Sequence, residues 1–173
     1  MKIYNLCIAL ALLALSSCGV RTDTNKAAQT SDSTASQPTE VLLKNTLVTE
    51  MKMKDSFKVG DSIALTFTVY NRTDKPQRFC VWHTPFEPLM SKYLDVIAEN
   101  GEDVPYQGAM AKRMMPPPES SYLTIDPKNN ASIEVNLLRG YAIKNPGKYT
   151  VTYVGENMSG LKVEKSVSFT YVK

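Results

Sequence analysis

The sequence predicts an all-β domain, a sandwich of two antiparallel sheets with about eight strands. Apolar and polar residues alternate with a period of two between Ile63 and Tyr70, which is the pattern of a half-buried strand. Similar short segments recur through residues 41–173, separated by turns rich in Pro, Gly and Asn. No segment carries the apolar pattern of an amphipathic helix of three turns. These observations together favour strands throughout the domain.

Residues 61–87, DSIALTFTVYNRTDKPQRFCVWHTPFE, contain the strongest strand pattern of the chain. Residues 71–76 form a turn, because Asn and Asp bond their own backbone and Pro fixes φ. Residues 77–82 then alternate again, so the segment predicts a hairpin or an inter-sheet corner with Trp82 on its second strand. The first strand directs one apolar face to the core, made of Ile63, Leu65, Phe67 and Val69.

The remaining strands follow from short alternating runs between turn signals. Asn100-Gly101 is a hairpin signal, and the three prolines at 116–118 favour an extended conformation in the long loop 108–121. Tyr149, just after Pro146-Gly147, has the placement of a tyrosine corner. We therefore expect an immunoglobulin-like β-sandwich, with a small antiparallel barrel as the alternative. Outside residues 61–87, the strands are expected at residues 41–48, 93–98, 104–106, 122–125, 133–137, 149–153 and 163–172, and residues 57–61 are expected to turn into the first strand of the corner.

Residues 1–17 resemble the signal peptide of a bacterial lipoprotein. Lys2 precedes a mostly apolar run at residues 7–15, and Leu15-Ser-Ser-Cys18 resembles a lipobox. We expect Cys18 to be the mature N-terminus and to carry acyl chains such as palmitate, which anchor the protein to a membrane. An ordinary secretory signal with a chance cysteine is the alternative. Gly19 resembles an outer-membrane sorting signal, so we expect a lipid-anchored location in the bacterial envelope, at the outer membrane.

Residues 18–40 are predicted to be a flexible linker between this anchor and the domain at 41–173. They contain no large apolar side chain except Val20, so they cannot bury enough surface to fold. The formal charge of the precursor is only +3, with no basic stripe for nucleic acid. Cys80 is the one cysteine of the domain. We expect it to be a buried small hydrophobe, and a reactive thiol is the alternative.

The sequence argues against an enzyme. It has a single histidine, which excludes a zinc site with two histidines from one chain, and it lacks the common hydrolase and phosphate-loop motifs. We therefore expect no cofactor and no catalytic residue. Methionine is frequent, with eight in the precursor. Thioethers bind Cu(I), but core filling or an adaptable contact surface is the favoured role of these residues.

Two loops are candidates for binding a partner, and both combine proline with aromatic, basic or thioether side chains. The pair Lys112-Arg113 in a loop stiffened by prolines could be presented to a trypsin-like protease, or it could simply be a solvated charge pair. The candidate residues of the first loop are Trp82, His83, Thr84, Pro85 and Phe86. Those of the second loop are Lys112, Arg113, Met114 and Met115.

Several motifs in the same order resemble the N-terminal propeptide domain of deuterolysin-type zinc metalloendopeptidases. They are NRTDKP at 71–76, WHTPFE at 82–87, VPYQG at 104–108, Lys112-Arg113, YLTIDP at 122–127 and PGKYTV at 146–151. The resemblance covers about residues 41–173, and the sequence has no His-Glu-x-x-His of a catalytic domain. Propeptides of this kind cover the active site of their own enzyme. The resemblance thus implies a lipoprotein that binds and inhibits a secreted or envelope endopeptidase in trans; a non-catalytic binding or scaffold lipoprotein is the alternative.

Overall fold

Nine strands, three short helical turns and their connecting loops make up the part of the chain that the computed structural model describes, residues 46–173. The predicted signal peptide, the lipidation site Cys18 and the linker 18–40 lie outside the described residues. The strands are β1 Leu47–Met53, β2 Ser56–Lys58, β3 Ala64–Asn71, β4 Gln77–Cys80, β5 Leu94–Ala98, β6 Tyr122–Ile125, β7 Asn130–Asn136, β8 Gly147–Tyr153 and β9 Val167–Val172. Glu119–Ser121 and Leu137–Arg139 are 3-10 turns, and α1 is the single turn Glu156–Ser159.

The strands form two main sheets and a two-stranded ladder. One sheet has the order β1-β3-β7, the other has the order β2-β9-β8-β5, and β4 pairs with β6. All pairs are antiparallel except β2 with β9. The predicted sandwich is therefore confirmed. The segment around residues 71–76 is an inter-sheet corner and not a hairpin, because β3 and β4 pair with different strands.

The core lies between the two main sheets. The inward apolar side chains of β3, Leu65, Phe67 and Val69, are completely buried, as the alternation predicts, and each contributes roughly 1.5–3 kcal/mol of hydrophobic stabilisation. Phe67 contacts Tyr153 from the opposite sheet, with ring centroids 5.1 Å apart. The Tyr149 hydroxyl donates a 2.6 Å hydrogen bond to the carbonyl of Asn145, which confirms the tyrosine corner.

The buried side chain of Asn71 fixes the corner between β3 and β4. Its amide nitrogen donates to the carbonyls of Lys75 and Ile125 at 2.8 and 2.9 Å, and its amide oxygen accepts from the backbone of Thr73 at 3.0 Å. The same side chain thus joins the turn after β3 to the end of β6. These hydrogen bonds hold the chain where it passes from the first sheet to the ladder of β4 and β6.

Several elements differ from the sequence-based prediction. Residues 104–106 were expected to be a strand, but Pro105 has no N–H to donate to a ladder, and only the isolated bridge between Tyr106 and Tyr141 forms there. Strand β4 ends at Cys80 and does not include Trp82, because the chain turns at residues 81–84. The last strand starts at Val167 and not at residue 163, and the start of the expected turn at residues 57–61 belongs to β2, which pairs with β9.

The first strand was expected at residues 41–48, but β1 runs to Met53, because Thr49 and Met51 continue the buried face while Glu50 and Lys52 pair on the outer face. The connection between β8 and β9 contains the single turn α1, which is capped by Gly160 with a φ of 74°. Glycine adopts this left-handed conformation without steric strain.

Candidate functional site

The two predicted binding loops lie side by side and are joined by backbone hydrogen bonds. Loop A, residues 81–91, follows β4, and loop B, residues 107–121, precedes β6. The Ala109 N–H donates to the carbonyl of Leu89 at 3.1 Å, and the Ala111 N–H donates to that of Met90 at 2.8 Å. Loop B is therefore supported along its first half by loop A.

Glu87 is the polar centre of this loop pair. One carboxylate oxygen accepts hydrogen bonds from the His83 N–H and the Ser91 hydroxyl, both at 2.8 Å. The other lies 2.6 Å from the Arg113 guanidinium of loop B. The side chains of Glu87 and Arg113 are only 8% and 18% exposed, so this ion pair is largely removed from water. Charge-assisted hydrogen bonds of this kind are stronger than neutral ones.

Trp82 is the second side chain that holds Arg113 in place, in addition to Glu87. The guanidinium lies over the indole ring, 4.7 Å from its centroid, in a cation–π contact. Arg113 is therefore held between a carboxylate and an aromatic face and does not extend into solvent. Its Nε is buried without a hydrogen-bond partner among the described residues. Two residues that the sequence analysis placed in separate loops, Trp82 and Arg113, are thus brought into contact.

The middle of loop A is anchored to the core. Thr84 and Pro85 are buried, and the Thr84 hydroxyl donates to the carbonyl of Val81 at 2.6 Å. Phe86 packs against Phe79 and Phe67, with centroid distances of 5.4 and 6.2 Å. Thr84 and Pro85 were predicted to contact a partner, but their side chains are buried and offer no surface for such a contact. They hold the loop in place instead.

His83 occupies a constrained backbone position in loop A. Its φ of 57° lies in the left-handed region, which is uncommon for residues other than glycine. Its carbonyl accepts a 3.0 Å hydrogen bond from the Tyr153 hydroxyl, and its N–H is bound by Glu87. Both backbone polar groups of His83 are therefore satisfied inside the domain. The fixed turn at His83 places Trp82 beside loop B.

Cys80 lies at the end of β4, just before loop A, and is buried. Burial raises the pKa of its thiol above the ordinary value, so the protonated, weakly nucleophilic form is favoured. This agrees with the predicted role as a small apolar side chain. No group of three or more His, Cys, Asp or Glu residues within 46–173 is arranged to hold a metal ion.

Loop B exposes an unusual amount of apolar surface. Met110, Met114 and Met115 are 72%, 83% and 67% exposed, and Met90 of loop A is 38% exposed. Met51 of β1, in contrast, is part of the core. Lys112 is exposed among these methionines. The methionines predicted as either core filler or contact surface therefore divide into both groups, with the exposed ones concentrated in the loop pair.

Glu87, the central residue of the site, was not predicted from the sequence. Glu87 and Arg113 are separated by 26 positions, and no local pattern indicates that they pair. Ser91, the third group on the carboxylate, was likewise not singled out. The position of Glu87 just after Pro85 and directly before Pro88 was the available sequence signal. Its burial, which calls for a partner because charged side chains are seldom buried alone, is seen only in the structure.

The described residues include no helix that is both long and apolar enough to cross a membrane. A comparison with curated proteins finds no match to the chain. A family model for an immunoglobulin-like domain matches residues 57–168, which is more than half of the chain. The match begins in β2, ends in β9, and includes both loops of the site. The chain therefore belongs to an immunoglobulin-like domain family.

Proposed function

We propose that this protein is a non-catalytic, lipid-anchored envelope protein that binds an endopeptidase through loop B and inhibits it in trans. The observation that carries the proposal is the exposure of Met110, Met114 and Met115 on a loop whose backbone is held by Arg113. Membership of an immunoglobulin-like domain family suggests a non-catalytic domain, which agrees with this function. The expected acylation of Cys18 would keep the domain at the membrane.

The geometry of loop B suits protein recognition. Thioether side chains are flexible and polarisable, so they adapt to a partner surface. Burying each one in an interface contributes roughly 1.5–3 kcal/mol before the costs of association. The hydrogen bonds to loop A and the prolines at 116–118 reduce the conformational freedom that loop B would lose on binding. Pre-ordering of this kind converts more of the contact energy into affinity.

The choice of an endopeptidase as partner rests on the resemblance to deuterolysin-type propeptide domains. Arg113, which belongs to the motifs that carry this resemblance, is engaged by Glu87 and Trp82. It is therefore not free to occupy the specificity pocket of a trypsin-like enzyme, which leaves only Lys112 of the basic pair for that role. We accordingly favour a metalloendopeptidase, whose cleft would be covered by the methionines and the exposed Lys112.

The test is a titration of the full chain, purified in detergent, against a panel of metallo- and serine endopeptidases. We expect stoichiometric loss of activity of a metalloendopeptidase. Replacing Met110, Met114 and Met115 together by serine should weaken inhibition at least about 100-fold, because most of the apolar contact is lost. The matched triple leucine variant keeps apolar side chains and should stay within about tenfold of the wild type.

A non-inhibitory binding or scaffold lipoprotein is the second candidate, and the inward position of Arg113 favours it over a bait for trypsin-like enzymes. The same titration separates the two functions. A partner that forms a complex through loop B but keeps its full activity would establish the scaffold function. Full activity of every protease, with no complex formed, would refute the proposed inhibitor.

A further inference from the structure

Strand β7 forms one edge of the three-stranded sheet, and within the described residues no strand pairs with its outer side. The Asn71 N–H donates to the carbonyl of Asn129, and the Leu137 N–H donates to that of Ile63. These bonds fix which residues of β7 face β3. Because hydrogen-bonding direction alternates along an antiparallel strand, the N–H and C=O groups of Ser132 and Glu134 point away from the sheet.

A groove lies beside this edge. Its volume is about 390 Å³, and it is lined by residues 133–136 of β7 on one side and by residues 85–89 of loop A on the other. Phe86, Leu89 and Ile133 contribute apolar surface to its walls. The groove thus places apolar side chains beside a row of free backbone donors and acceptors. An extended polypeptide requires both kinds of contact.

The groove is lined by one cation, Arg139, and by two carboxylates, of which Glu87 is already paired with Arg113, so an acidic side chain of a ligand is favoured only beside Arg139. Arg139 lines the end of the groove next to the end of β7, is exposed, and takes part in none of the ion pairs found in residues 46–173. The edge also lacks the features that usually block strand pairing, since β7 contains no proline and no lysine. Its one charged side chain is Glu134.

We propose that the outer edge of β7 binds an extended segment of another polypeptide by strand addition, with an acidic side chain of that segment beside Arg139. The ligand backbone pairs with Ser132 and Glu134, and its inward side chains enter the groove next to Phe86. This is a second binding surface, distinct from the methionines of loop B. It does not depend on whether the partner of loop B is an endopeptidase.

The test starts from a phage-displayed library of random nonapeptides selected on the full chain in detergent. The selected peptides are then measured by fluorescence anisotropy against two variants at one position. Glu134→Pro removes an N–H that points outward and leaves the ladder to β3 intact. Glu134→Thr removes the same charge and keeps the N–H. We expect the proline variant to bind at least about tenfold more weakly and the threonine variant to stay within about threefold.

Two further measurements locate the ligand. Arg139→Gln should weaken the binding of peptides that carry an acidic residue about two- to fivefold and leave the binding of their neutral analogues unchanged. Hydrogen exchange of wild-type protein should slow at the amides of Ser132 and Glu134 when peptide is bound. This second readout decides the question even if Glu134→Pro fails to fold.

Three outcomes would overturn the proposal. Selection could yield no binding peptide, or peptides could bind without slowing exchange at Ser132 and Glu134. Alternatively, sedimentation could show a dimer of the full chain that Glu134→Pro abolishes. In that case the edge would serve self-association and not an extended segment of another polypeptide.

Discussion

Replacing Glu87 by alanine tests whether its carboxylate organises the loop pair. The substitution removes the counter-charge of Arg113 and leaves the His83 N–H and the Ser91 hydroxyl without the acceptor that they have now. Removing one partner of a buried ion pair costs about 3–5 kcal/mol, because the other charge stays buried and uncompensated. The guanidinium can swing toward solvent in the variant, so we expect a loss of about 3 kcal/mol in the free energy of unfolding.

The measurement is urea unfolding followed by tryptophan fluorescence, since Trp82 is the only tryptophan in the chain and touches Arg113. The midpoint should fall with an unchanged m-value. Lys92→Gln is the matched control, because Lys92 and Asp95 also lie 2.6 Å apart but are 39% and 37% exposed. An exposed pair contributes less than about 1 kcal/mol. Equal losses for both variants would refute the argument that burial gives the Glu87 pair its importance.

A double-mutant cycle isolates the pair itself. Arg113→Met keeps the volume and apolar character of the side chain but removes its charge, leaving Glu87 with its two other hydrogen bonds. The double variant Glu87→Ala/Arg113→Met should be more stable than Glu87→Ala alone, because no buried charge remains unpaired. Additive losses in the cycle would mean that the two side chains are energetically independent despite the 2.6 Å contact.

Further predictions concern the buried tyrosines and the methionines. The Tyr93 hydroxyl is buried without a hydrogen-bond partner among the described residues, so Tyr93→Phe should leave the free energy of unfolding unchanged or raise it by up to about 1 kcal/mol. Tyr141→Phe, in contrast, loses the hydrogen bonds to the backbone of Leu94 and should lower the free energy of unfolding by about 1–2 kcal/mol. Both values are measured by urea unfolding at pH 7. Burial raises the pKa of both tyrosines above the value of about 10 in the unfolded chain. Because the unfolded state releases these protons first, their stabilisation is complete below pH 10 and should be lost progressively above it; a urea midpoint that stays constant from pH 8 to pH 11 would contradict this. Mild peroxide should oxidise Met114 well before Met51, as peptide mass spectrometry can measure, because the first side chain is exposed and the second is in the core.

Local alternation was sufficient to predict the fold class. The buried face of β3 follows directly from period-two patterning, and the tyrosine corner follows from the position of Tyr149 after Pro146-Gly147. Both depend on contacts that are either intrinsic to a strand or close in sequence. The end of β1 was harder to place, because Thr49 and Met51 are weaker signals of a buried face than Leu or Ile.

Pairing over long sequence distances was not predictable in the same way. The residues after β3 were compatible with a hairpin, and only the pairing of β4 with β6 and of β3 with β7 defines the corner. The candidate site shows the same limit. Its loops were identified by their composition, but the burial of Thr84 and the contact between Glu87 and Arg113 depend on how the loops fold against each other.

The way in which loop B is held explains how its methionines remain exposed. A loop without regular structure can be ordered by burying its apolar side chains or by polar contacts. Had Met114 and Met115 packed into the core, they would stabilise the loop but could not contact a partner. Arg113 performs the ordering instead, through a carboxylate and an indole ring that belong to loop A. Glu87→Ala leaves the exposed methionines chemically unchanged. It should nevertheless weaken binding of the proposed partner, because loop B would no longer be fixed before binding.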